Sequence, residues 1–318
     1  MASKEMTAQD KTKRLRFLVC IDGTDDSYRG VHYASEFGPE HDICLCYVRP
    51  LDRGLRSGGL NVRVARENML NWGLELPGIK YLKKGRDMLI ERGAMGADWK
   101  EEAAHVDVEG DPLGDNKVEY TDKTGKKIIL KLKVAYNIPS GILDQTEVAH
   151  YDLIILGASE RWRERKTKTF WDPAVAEKVV RNANCSVLVA RQLDASRGHL
   201  LCTDGTEHAN DALRRNLYLA SHGKAPVSIL AVTPDAEGEE AATEGLTQFR
   251  KILADQNVEI QETYTRIGDP VENILEVGAK YSVIVLSESV KPPWERFFKG
   301  SVSHDVMERA ENSILIVR

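Results

Sequence analysis

The stretch Arg16-Phe-Leu-Val-Cys-Ile-Asp22-Gly23-Thr24 recurs as His199-Leu-Leu-Cys-Thr-Asp204-Gly205-Thr206. Each copy is an apolar run stopped by Asp-Gly-Thr, the pattern of a buried strand ended by a tight turn. Two more pairs follow in the same order. Asp152-Leu-Ile-Ile-Leu156 matches Ser282-Val-Ile-Val-Leu286, and Cys185-Ser-Val-Leu-Val-Ala-Arg191 matches Asn312-Ser-Ile-Leu-Ile-Val-Arg318. Three anchors in one order mark an internal duplication.

Working outward in the second half, strand-like runs at Leu200–Cys202, Val227–Val232, Val258–Thr265, Val283–Leu286 and Ser313–Val317 alternate with helical stretches. Ala209, Leu213, Leu217 and Ala220 share one face of the first of these. The others are Glu240–Asp255, Val271–Tyr281 and Ser301–Glu311. Short β-branched runs alternating with helices predict an α/β fold: two tandem doubly wound, mostly parallel five-stranded sheets with helices on both faces. The first half repeats the plan, with strands at Phe17–Ile21, Ile43–Val48, Ile128–Tyr136 and Leu153–Leu156, and helices at Ile79–Arg92 and Ser140–Ala149. Between them, about 94–127 reads as an insertion, and Thr121-Asp-Lys-Thr-Gly125 is a hairpin turn joining Val118–Tyr120 to Ile128–Val134. The expected boundaries are a flexible tail 1–14, a first domain 15–191, a linker 192–198 and a second domain 199–318.

With 318 residues, 42% hydrophobic and 29% charged, the chain has room for two ordinary domains. A net charge of -5 gives no support for a nucleic-acid partner. No apolar run approaches the roughly 20 residues of a membrane span, and Met1 to Arg16 lacks the apolar core of a secretory signal. Cys20, Cys44, Cys46, Cys185 and Cys202 are an odd set lying mostly in strand-like runs, which suggests free thiols in a reducing, cytoplasmic setting.

Asp204-Gly205-Thr206, Gly268-Asp269-Pro270, Leu286-Ser287, Gly300-Ser301-Val302-Ser303 and the final strand together make the chain resemble the universal stress protein family, over nearly all of it outside the tail and insertion. The resemblance implies an adenine-nucleotide α-hydrolase-like fold and pairing through final strands, so Ser186–Ala190 and Ser313–Val317 are expected to pair within one chain as a pseudo-dimer. It also implies a stress-response role and an ATP or AMP site, with or without magnesium, in the second domain. That site would comprise Thr203, Asp204, Val232, Ser287, Val290, Gly300, Ser301, Val302 and Ser303. Nucleotide-binding members place two glycines and a Gly-Ser helix entrance around the phosphates, where small residues and free N–H groups admit an anion. Here Ser287 and Val290 stand for the two glycines, while Gly300-Ser301 is kept. Ser301 also reads as an ordinary helix start.

Asp22, Val48 and Gly157 mark a degenerate counterpart in the first domain, where Glu160 and Pro173 oppose phosphate binding. Arg161, Arg163, Arg165, Lys166 and Lys168 read as a solvated basic loop, and Trp294, Phe297 and Phe298 as loop packing. No catalytic or metal-ligating set can be named, so hydrolysis is the least supported activity. A nucleotide-free module recruiting a protein partner is the alternative reading.

Overall fold

The computed structural model describes residues 14–37, 41–51, 77–108, 111–158, 173–191, 194–215, 217–221, 225–256, 258–287 and 302–318. In the first half these form β1 (Arg16–Cys20), α1 (Asp25–Glu36), β2 (Asp42–Pro50), α2 (Pro77–Glu91), β3 (Lys100–Val108), β4 (Asp111–Thr121), β5 (Lys127–Ala135), α3 (Ile138–Val148), β6 (Leu153–Gly157), α4 (Pro173–Asn182) and β7 (Ser186–Ala190). The second half contains β8 (His199–Thr203), α5 (Glu207–Arg215), α6 (Leu217–Ser221), β9 (Val227–Thr233), α7 (Glu239–Asp255), β10 (Ile260–Ile267), α8 (Pro270–Gly278), β11 (Val283–Ser287), α9 (Val302–Arg309) and β12 (Ser313–Val317).

Each half carries the same five-strand order. In the first it runs β7-β6-β1-β2-β5, in the second β12-β11-β8-β9-β10, all parallel within the half. The central strands are apolar at nearly every position because helices cover both faces. On one face, Val31 of α1, Leu82 and Leu89 of α2, Leu213 of α5 and Phe249 of α7 form a core continuous across both halves. On the opposite face lie two clusters, one built on Ile142 and Val179 of the first half and joined by Met307 of the second, the other on Ile274 and Val306 of the second half.

The two sheets expected from the sequence are fused into one. Strands β7 and β12 pair antiparallel, Ile314 with Val189, Leu315 with Leu188 and Ile316 with Val187. The described residues thus give a single twelve-stranded sheet. Two arginines brace this joint reciprocally. Arg191, just beyond β7, donates from Nη2 to the Met307 carbonyl at 2.6 Å and from Nη1 to the Asn312 carbonyl at 2.9 Å. Arg318, just beyond β12, donates to the carbonyls of Val180, Ala183 and Cys185. Each cation therefore sits at the C-terminal end of the other half's last helix, where the helix dipole and free carbonyls favour positive charge.

Within the stretch read as an insertion, β3 and β4 extend the sheet beyond β5. Strand β4 pairs antiparallel with β5, Thr121 opposite Lys127 across the expected turn, and β3 pairs antiparallel with β4. With this cover the apolar residues Ile128, Ile129, Leu130, Leu132 and Val134 of β5 are buried, whereas its counterpart β10 remains a largely exposed edge. Asp115 of β4 fastens the extension by accepting from the Val134 N–H at 2.7 Å and from Lys133 at 3.0 Å. Lys126 is buried and donates to the Ala94 carbonyl at 2.5 Å, and burial pushes its pKa down.

Candidate functional site

In each half the chain leaves the central strand toward one side and returns on the other. The crevice of such a sheet opens beyond the carboxyl ends of the strands flanking this switch. These strands are β8 and β11 in the second half, β1 and β6 in the first.

Thr203 and Asp204 lie at the end of β8. Thr203 is buried, its hydroxyl donating to Asn210 Oδ1 at 2.8 Å and accepting from the Gly205 N–H at 3.0 Å. It shapes the turn from within. Gly205 takes φ 80°, a left-handed value that suits glycine. Asp204 is exposed, and its Oδ1 accepts from the Thr206 N–H at 3.0 Å and hydroxyl at 2.6 Å. Thr206 in turn accepts the Ala209 N–H at 3.2 Å, which caps α5. The Asp-Gly-Thr motif is thus a chain exit and a helix cap in one.

Ser287 ends β11, half-buried; the register pairing Leu286 with Cys202 brings it next to Thr203. Val232 turns its side chain into the second-half core. Val302, exposed, and Ser303, half-buried, open α9, whose first N–H groups have no partner inside the helix. Val290, Gly300 and Ser301 lie outside the described residues, as do Glu160, the basic loop and Trp294, Phe297 and Phe298. Gly268 takes φ 119° and donates its N–H to the Thr233 carbonyl at 2.8 Å, and Asp269 caps α8 through the Glu272 N–H at 2.9 Å. Their motif shapes the far rim of the same edge.

The first half builds the same turn and then closes it. Asp22 Oδ1 accepts from the Thr24 N–H at 2.9 Å and hydroxyl at 2.6 Å, and Gly23 takes φ 90°. Here, however, the Tyr81 ring of α2 lies on Gly23, so close that a Cβ there would stand 2.6 Å from the ring. Tyr47 packs on Tyr81 with ring centroids 5.8 Å apart, and the Tyr28 hydroxyl donates to the Tyr81 carbonyl at 3.1 Å. Asp22, the residue before Gly23, is only 8% exposed. Burial, reinforced by the charge of Asp22, pushes the Tyr28 phenol up to about 12, and burial with Tyr81 and Asp22 nearby raises Tyr47 as well. Val48 is buried in the first-half core.

Gly157, at the end of β6, is pressed against the start of α1; a Cβ there would collide with the Asp26 carbonyl oxygen. Its smallness serves helix–strand contact, and Ser287 occupies the equivalent strand end in the second half. Gly157→Ala is therefore expected to destabilise the fold by roughly 2 kcal/mol, read as a lower urea midpoint. An unchanged midpoint would show that α1 shifts freely.

The five cysteines are buried and unlinked, and burial raises their thiol pKa values. Among the described residues no group of acidic, histidine or cysteine side chains is arranged to hold a metal, and no helix is long and apolar enough to cross a membrane.

The universal stress protein family model matches residues 86–191 and 199–318. The chain belongs to the universal stress protein family. Strands β1 and β2 precede the first matched segment but occupy the positions that β8 and β9 occupy in the second half. A universal stress protein from Archaeoglobus fulgidus DSM 4304 is similar at 14% identity and TM-score 0.54, with 96% of each chain covered. A putative universal stress protein from Pseudomonas aeruginosa UCBPP-PA14 is similar at 13% identity and TM-score 0.56, covering 96% of this chain and 94% of that one. The cytoplasmic domain of a prokaryotic cation chloride cotransporter shares the fold at 12% identity and TM-score 0.50, covering 96% and 95%. At such identities the likeness is one of fold. No curated protein matches the chain.

Proposed function

We propose that this universal stress protein binds an adenine nucleotide, ATP or AMP, in its second domain (199–318), without catalytic machinery of its own. The first domain (15–191) serves as its folded partner. The supporting observation is the unequal fate of one motif: Asp204 stands exposed at the switch point between β8 and β11, while Asp22 is buried beside Gly23, which the Tyr81 ring covers. An exposed carboxylate there accepts hydrogen bonds from the hydroxyl or amino groups of a nucleoside. The first turn of α9, with Ser303 in it, presents the positive end of the helix dipole and favours the phosphates at the other end. Magnesium enters with the phosphates of ATP, as their counter-ion. The buried, unlinked cysteines suit a cytoplasmic stress-response role in a reducing setting.

Calorimetric titration of ATP and AMP, each with magnesium, into the full chain tests the reading. Saturable binding below millimolar nucleotide is expected, weakened about tenfold or more in Asp204→Asn. That substitution keeps an acceptor for Thr206 and removes the charge. If the wild type shows no binding at millimolar nucleotide, the proposal falls and the partner-recruiting module takes its place.

A further inference from the structure

Asp22 and Asp204 make the same turn with Oδ1, yet their second oxygens meet different surroundings. Asp204 is exposed, whereas Asp22 Oδ2 is buried and accepts no hydrogen bond among the described residues. A buried carboxylate oxygen without a donor is costly, and in native proteins such atoms are met by water, an ion or a ligand. The neighbouring acids have cations: Lys84 stands 3.8 Å from Asp25 and Arg29 stands 3.4 Å from Asp26. Among the described residues Asp22 has no such counter-charge.

The surroundings indicate what would meet it. Asp22, Asp25 and Asp26 repel an anion, and the start of α1 fills the space beside Gly157. What remains is a carboxylate among the phenol rings of Tyr28, Tyr47 and Tyr81, a combination that attracts organic cations by charge and by the negative ring faces. One ring of the cluster already carries an ammonium, since Lys84 Nζ lies 4.2 Å from the Tyr28 ring centroid.

We propose that Asp22, with Tyr47 near it and the Tyr81 ring on the adjoining Gly23, forms a first-domain binding site for a small organic cation bearing a primary ammonium or guanidinium group. The cation's N–H donates to Oδ2 and its carbon chain lies against the two rings. Entry requires the Tyr81 ring to lift from Gly23.

The test is calorimetric titration of agmatine, which carries both head groups, into the full chain and three variants. Wild type and Asp204→Asn are expected to bind alike. Asp22→Asn, which keeps the Thr24 contacts, is expected to bind about tenfold or more weakly. Tyr47→Leu leaves the turn untouched and is expected to weaken binding severalfold, so the site remains testable if Asp22→Asn misfolds. Absence of saturable binding to wild type at millimolar agmatine would overturn the proposal and leave water as the occupant. Equal binding by wild type, Asp22→Asn and Tyr47→Leu would overturn it too.

Discussion

Arg191→Met is expected to lower unfolding stability by roughly 3 kcal/mol or more, seen as a lower urea midpoint. Arg191 is 0% exposed, and burial lowers its guanidinium pKa to about 10, so it stays charged at neutral pH. The charge is tolerated because its donors meet the Met307 and Asn312 carbonyls at the end of α9. Met307 itself is buried in the first-half core, so this contact holds two halves together. Methionine fills much of the volume but leaves those carbonyls without their donor. Arg191→Lys should recover only part of the loss, because one ammonium does not reproduce a planar fork reaching two carbonyls. Arg318→Met should cost less, since Arg318 is only half-buried. A wild-type midpoint for Arg191→Met would mean that the joint does not depend on the brace.

The second large effect is expected at the seam itself. Leu315 of β12 faces Leu188 of β7, both 0% exposed and both in the core that runs through the two halves. Leu315→Asp places a carboxylate there with no counter-charge, a cost of roughly 3–5 kcal/mol. Because the core is continuous across the seam, the loss should appear as unfolding of both halves together, with faster proteolysis throughout the chain. Leu315→Ala removes packing alone and should cost about 2–4 kcal/mol. If Leu315→Asp left one transition intact and moved only the other, the halves would be independent folding units.

Much of this architecture is legible from local chemistry. The paired Asp-Gly-Thr exits, the apolar central strands and the Thr121–Gly125 turn each declare themselves through a few adjacent residues, and the structure places strands and turns there. The repeat extends to the arginines closing the two final strands, but their role lies across the seam and is invisible in either copy alone. Strand β3 escapes sequence reading for another reason. Its run Lys100-Glu-Glu-Ala-Ala-His105 is exposed at every position, so no alternation of apolar and polar residues announces a strand.

The site is legible only in part. Asp22 and Asp204 sit in near-identical motifs, and no local pattern tells the buried one from the exposed one. The visible difference beside the buried Asp22 is Tyr81, remote in sequence, which α2 lays across Gly23. Gly157 likewise has the residue type of a phosphate-approach glycine, while its surroundings are the backbone of α1.

The stoichiometry of ATP binding is the most direct test of an account in which the first-half switch point is closed to nucleotide and the second open to it. Titration into the full chain should give one site per chain, kept in Asp22→Asn and weakened in Asp204→Asn. Two equivalent sites per chain, or a site lost in Asp22→Asn and kept in Asp204→Asn, would contradict it.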